Sequence, residues 1–347
     1  MRAIRFNEFK TFSTLEDVPR PTPGPGEVLL KVAGAGACHS DIGIFHDFER
    51  GQVPGIVPPF TLGHETSGWV EGLGLGVRGF EKGDAFLVYG PIGCGRCVAC
   101  SRGQDTYCEN VASMDHLATG IGRDGGMAEY VTVPARNLVP LGTSDPVDAA
   151  PLADAGLTPY HAIKLALPKL AGGGRSALVI GLGGLGQVAV QMLTALTGAK
   201  VIATDMRASA MERAAADGAV TVAGGPDQLA QIRDLTGGRG VDAVFDFVGV
   251  SPTIELSMRS VGQRGRVTIV GIAGGSYSWG FFTNPYEAEL TNTYWGTIEE
   301  LHEVAAMYRA GQIRPLIERY ALDQGLEAYR RLQAGEIEGR AVVVPHA

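Results

Sequence analysis

Cysteine is scarce in this chain of 347 residues: there are five, four of them between Cys94 and Cys108 and the fifth at Cys38. Positive charge is also short. Lys and Arg number 29 against 37 Asp and Glu, a formal net charge of -8, so no basic face for nucleic acid or anionic lipid is expected. Long apolar runs are missing, and none approaches the ~20 residues of a membrane span. The opening "MRAIRFNEFK" places charges where a secretory leader needs an apolar core, so a cytoplasmic protein with no membrane partner is expected. Internal repeats and low-complexity linkers are lacking too, and the proline-rich Pro19 to Glu27 reads as a surface turn. Glycine, by contrast, is abundant at 50 residues, about twice the usual share. Such a chain makes many turns and brings its backbone close to other groups. The composition, 45% hydrophobic and 19% charged, is that of a globular protein long enough for two domains.

The clustered cysteines lie in "GPIGCGRCVACSRGQDTYC", Gly90 to Cys108. In a cytoplasmic protein disulfides are disfavoured, and C-x2-C neighbours would be strained as two local bridges. Four thiolates converging on one tetrahedral ion fit better, with Gly90, Gly93, Gly95 and Gly103 letting the backbone loop tightly. An iron–sulfur cluster is the rival. The ferredoxin run puts its fourth cysteine after three residues and before proline. Here Cys108 follows Cys100 after seven residues and precedes Glu109, which favours structural zinc on Cys94, Cys97, Cys100 and Cys108. With all four places taken by sulfur, such an ion pins a loop and does no chemistry.

Chemistry is therefore sought at the remaining cysteine. Cys38 stands in "GAGACHSDIG", after the strand-like Glu27 to Val32, and His64 and Glu65 follow in "TLGHETSGWV". A single buried Cys or His is usually core. A catalytic zinc uses three ligands of the Cys, His and carboxylate kind with one open position, and the chain offers one free Cys, this His and several acids.

A second signal is independent of the first. "SALVIGLGGLGQVAVQMLTALTGAKVIATD" reads strand, glycine turn, helix, strand. Ser176 to Ile180 is the first strand, Gly181, Gly183 and Gly186 make G-x-G-x-x-G, and Leu185 to Leu196 has helical periodicity. Gly184 and Leu185 complete the cofactor loop. Asp205 lies 24 positions after Gly181, near the expected ~20, so the motif predicts a dinucleotide on the helix N-terminus. A carboxylate there accepts from a ribose and repels a 2′-phosphate, favouring NAD over NADP, with Arg207 nearby as a counterweight. Ala243 to Val248 and Arg266 to Ile272 extend a parallel sheet.

Together "GHE" (Gly63 to Glu65), the four-cysteine loop and "GLGGLG" resemble, in order and spacing, the zinc-dependent medium-chain alcohol dehydrogenase family over essentially the whole chain. "LADAGLTPYHAI" (Leu152 to Ile163) and "YWGT" (Tyr294 to Thr297) resemble bacterial secondary-alcohol dehydrogenases and arylalkyl carbonyl reductases. The resemblance implies an α/β protein. Residues 1–152 and 297–347 form a GroES-like β-barrel catalytic domain with a structural zinc lobe at about 90–110. Residues 153–296 form a Rossmann doubly wound parallel sheet, with the active site in the cleft between.

The resemblance also implies roles. Cys38, His64 and Asp154 match catalytic zinc ligands, Asp154 standing where liver-type enzymes have cysteine, and Glu65 is an alternative or transient ligand. Asp41 matches the carboxylate that orients the ligand imidazole, and Ser40 the hydroxyl that passes the alcohol proton outward through the nicotinamide ribose. His39, Thr158 and Arg340 match cofactor contacts, the first and last near the pyrophosphate. Val248, Val270, Gly271 and Ile272 line the nicotinamide side. Gly43, where relatives often carry a relay histidine, joins Tyr294 and Trp295 around the substrate, with His46 nearby in sequence. The expected partners are a small alcohol or carbonyl substrate, NAD(H), two zinc ions and further copies of the chain. A homodimer or homotetramer would pair the sheet edge within Phe281 to Gly296. A zinc-independent quinone reductase or a non-catalytic NAD-binding protein on this scaffold is the alternative. The first would lack Cys38, His64 and usually the cysteine lobe; the second would be expected to lose zinc ligands.

Overall fold

The computed structural model of the protein describes residues 1–347, which divide into two compact units. The first unit comprises Met1–Leu157 and Gly296–Ala347, the second Thr158–Trp295. The expected division after residue 152 placed Asp154 at the head of the second unit. The turn Ala150–Ala153 instead packs on the first unit's central strands, and Asp154 stays with them.

A seven-stranded sheet organises the first unit. Its order is Leu138–Pro140, Ala85–Val88, Glu65–Leu73, Glu27–Gly36, Arg340–Val344 and Ile317–Ala321, with Tyr130–Pro134 also paired to Glu27–Gly36. Glu27–Gly36 runs past the expected Val32 because "AGAG" allows neighbours to press against it. A Cβ on Gly36 would meet Glu65 Oε2 at 1.9 Å, so only glycine fits opposite that carboxylate. Val28, Leu30, Val32, Val70, Phe86, Val88, Val131, Val133 and Leu138 form the buried core. At the end of Glu27–Gly36 the chain turns through Cys38 into the helix His39–His46. Gly63, at φ 100°, turns it again into Glu65–Leu73, and a Cβ there would strike Met127 N at 2.6 Å. These two turns deliver Cys38 and His64.

Six parallel strands build the second unit, in the order Val220–Thr221, Lys200–Thr204, Ser176–Ile180, Val241–Asp246, Val261–Ile269, Glu289–Asn292. Numbered along the chain, that is the 3-2-1-4-5-6 order of a Rossmann sheet. Each inner strand is covered on both faces, so "SALVI" is buried at every position. Val261–Ile269 starts earlier and stops sooner than the expected Arg266 to Ile272, with a left-handed Arg264 (φ 61°) inside it. Val270 N makes the last bond of this ladder, to the Asp246 carbonyl at 2.8 Å, and Gly271 N turns onto the same carbonyl at 3.0 Å, where the strand ends.

Candidate active site

Cys38, His64, Glu65 and Asp154 bring one Sγ, one ring nitrogen and two carboxylate oxygens to within 4.8 Å of one another. Cys38 Sγ lies 3.8 Å from Asp154 Oδ2, and His64 Nε2 lies 3.5 Å from the same oxygen. Edges of that length suit a tetrahedral ion with bonds of about 2.0–2.3 Å. His64 is oriented from behind, its Nδ1 being 3.0 Å from Asp41 Oδ1. Burial works against a charged imidazole, but the negative Asp41 and Asp154 raise the His64 pKa well above its ordinary value. The site thus favours a positive guest, proton or metal. Ser40 Oγ is 3.4 Å from His64 Nε2 and half-buried, so a hydroxyl stands at the ligand face with access to solvent.

Arg340, matched to the cofactor pyrophosphate, is 3% exposed and forked onto Glu65. Its Nε donates to Glu65 Oε2 at 2.8 Å and its Nη2 to Oε1, while Ala155 N adds a bond of 3.1 Å. Desolvation still leaves the Glu65 pKa raised, and against its own burial Arg340 is raised by the Cys38 and Glu65 charges. A buried carboxylate needs such a partner. Glu65 therefore reaches the ligand cluster while committed to Arg340, and not as a free catalytic group.

Four sulfurs of Cys94, Cys97, Cys100 and Cys108 also lie within 4.8 Å of one another. Gly93 cannot be replaced, since a Cβ would fall 2.3 Å from Cys100 Sγ. Arg96 N–H and the Asn110 amide hold Cys94 down to about 6, whereas burial pushes Cys100 up to about 12. Crowded thiols cannot all ionise without a cation, and the all-sulfur donor set suits zinc. The lobe is bolted down by Asp105, which accepts from Gly93 N at 2.9 Å and pairs with Arg136. Sequence reading did not find Asp105, because its partner is remote in the chain.

In the second unit Gly181, at φ 84°, ends the first strand, and Gly186 opens the helix Gly186–Leu196. A Cβ on Gly186 would overlap Gly181 O at 1.8 Å, yet one on Gly183 would meet only Arg207 Nη2 at 3.8 Å. The loop is closed on the protein side and open at Gly183, as a phosphate cradle requires. Gly184 and Leu185 lie within this loop, and Thr158 is buried in the helix Leu157–Leu170. Asp205 anchors the loop by accepting from Leu182 N at 2.7 Å, and its other oxygen accepts from Arg207 N at 2.9 Å. A further carboxylate, Asp246, escaped the sequence reading. It is fully buried and accepts from Val248 N and Gly249 N at 2.9 and 3.0 Å, shaping the turn that carries Val248. Val248, Val270, Gly271 and Ile272 leave the ends of adjacent strands together, Gly271 pressed on the Val248 backbone and Ile272 69% exposed.

His39 begins the helix that Gly43 centres. Although its edge is open to solvent, partial desolvation and then the Arg340 charge lower its pKa. His46 packs its ring against Phe45 and Phe12. Tyr294 and Trp295 stack edge to face at 5.8 Å, the first 52% exposed and the second 5%.

Residues 24–143 match the alcohol dehydrogenase GroES-like domain, and residues 184–309 match the zinc-binding dehydrogenase domain. The chain belongs to the zinc-type medium-chain alcohol dehydrogenase family. It is 33% identical to the NAD-dependent alcohol dehydrogenase of Sulfurisphaera tokodaii over 99% of this chain and 100% of that one. The alcohol dehydrogenase structure from Aeropyrum pernix superposes with a TM-score of 0.90 at 34% identity, covering 99% of this chain and 100% of that one. Acetophenone reductase from Geotrichum candidum, solved with NAD, gives 0.82 at 31% identity over 99% and 96%. No helix is long and apolar enough to cross a membrane.

Proposed function

We propose that the chain catalyses reversible hydride transfer between NAD(H) and a secondary or aryl-substituted alcohol, with one catalytic and one structural zinc. The carrying observation is the convergence of Cys38, His64 and Asp154 under the orienting Asp41, in one chain with the Gly181–Gly186 cradle. When bound, zinc supplies Lewis acidity toward the substrate oxygen, and the nicotinamide supplies or accepts hydride. The protein's residues do the rest. Asp41 fixes the His64 ring so that Nε2 faces the ligand cluster. Ser40 is placed to pass a proton from the substrate hydroxyl toward solvent. Asp205 holds the cofactor loop and disfavours a 2′-phosphate. Oligomerisation through the edge strand Glu289–Asn292 and residence in the cytoplasm belong to the same reading.

The substrate class rests on space. A Cβ on Gly43 meets nothing closer than Asp47 Oδ2 at 3.8 Å, so the helix that carries Ser40 leaves room at this position. Likeness to an acetophenone reductase supports an aryl group there. Added apolar contact is worth about 1–3 kcal/mol per group, so 1-phenylethanol and 2-butanol should exceed ethanol in kcat/KM by about tenfold or more. Gly43→Phe should lower turnover of aryl ketones more than of acetone. An ethanol preference, or an equal effect of Gly43→Phe on every substrate, contradicts this pocket.

A further inference from the structure

Tyr329 lies in the helix Gly325–Gln333, whose buried residues Gly325, Ala328, Tyr329 and Leu332 follow helical spacing. Read from sequence, it is one more core aromatic. The structure gives its hydroxyl a definite partner. Tyr329 Oη donates to Asp41 Oδ2 at 2.8 Å, and that oxygen also accepts from Cys38 N at 3.1 Å. The other Asp41 oxygen faces His64 Nδ1 at 3.0 Å. Tyr329 and Asp41 are fully buried, and His64 is 2% exposed. Burial and the Asp41 charge raise the phenol's pKa well above its ordinary value, so it remains a donor.

A buried hydroxyl is costly unless bonded, and phenylalanine would fill the same volume without that cost. Tyr329 already meets Phe45 edge-on at 5.9 Å, a contact that needs no hydroxyl. What the hydroxyl adds is a second donor on Asp41 Oδ2. Two donors on one oxygen stop the carboxylate from swivelling and leave Oδ1 aimed at the imidazole. The helix also packs against the ligand-bearing helix His39–His46, where Phe45 meets Tyr329.

We propose that Tyr329 is a positioning residue of the catalytic metal site, acting through Asp41 to fix the ring of His64. This rests on the reading of Cys38, His64 and Asp154 as metal ligands. The test uses the whole holoenzyme. Zinc affinity at that site is measured by chelator competition in the parent chain, Tyr329→Phe, Asp41→Asn and the double variant. Loss of a bond outside the ligands typically weakens metal binding 10–100-fold. Tyr329→Phe should raise the zinc Kd at this site by about tenfold. The four-cysteine zinc and the unfolding temperature should stay near those of the parent. In the Asp41→Asn background Tyr329→Phe should add less than twofold, because both act on one bond network. A Kd within twofold of the parent, or the full effect in both backgrounds, overturns the proposal. A parent chain that binds no zinc at this site overturns the ligand reading itself, and this proposal with it.

Discussion

Glu65 and Arg340 show how much one residue's partner decides. Both are buried, and each carries a charge that the other makes tolerable. Removing one partner of such a pair leaves an uncompensated buried charge, typically worth 3–5 kcal/mol. Arg340→Leu should therefore lower the unfolding free energy by about that much in urea denaturation. Arg340→Leu combined with Glu65→Gln should recover a good part of it. If the double variant is no more stable than Arg340→Leu alone, the cost comes from packing and not from charge. At this scale the sequence showed candidates but not partnerships. Cys38 and His64 were legible because few residue types bind zinc. The bonds Tyr329–Asp41 and Arg340–Glu65 were not, since 288 and 275 residues separate the partners. The sequence placed Arg340 at a cofactor phosphate and did not show the carboxylate that also holds it.

Among the elements, the four-cysteine lobe has the least regular structure of its own. Its helix and 3-10 turns, Val98–Ser101, Asp105–Tyr107 and Val111–Ser113, are too short to persist alone. Tyr89 and Thr106 hydroxyls donate to Gly296 O at 2.8 and 3.0 Å, and Ile298 N donates to Gly103 O at 3.1 Å. The lobe thus steadies the entry to the helix Ile298–Arg309. Cys97→Ser should release one zinc and lower Tm by several degrees, at about 2–4 °C per kcal/mol for a unit of this size. Retention of full zinc content and Tm would show that the lobe is held by its hydrogen bonds alone. The glycine loop and the helix after it were legible because only glycine fits where backbones overlap, as at Gly186. The Val261–Ile269 boundaries were not, because the strand ends where Gly271 N turns onto the Asp246 carbonyl that Val270 N already uses.

On the scale of the whole molecule, the second unit's sheet ends in an unpaired edge. Glu289–Asn292 pairs only with Val261–Ile269, and the nearby Phe281 and Phe282 are 74% and 88% exposed. Such an edge is an aggregation hazard unless another chain covers it. Light scattering should accordingly find a dimer or tetramer at micromolar concentration, and a proline at Leu290 should shift it toward monomer. A monomeric parent chain would remove the edge from the account. Everything proposed for the reaction depends on a metal held by Cys38, His64 and Asp154. The most direct test follows NADH formation from 1-phenylethanol while zinc is withdrawn by a chelator and then returned, with metal content measured at each step. About two zinc ions per chain should be present at the outset. Turnover should vanish with loss of the first, and return when zinc is restored. Undiminished turnover in a chain stripped of both ions would contradict it.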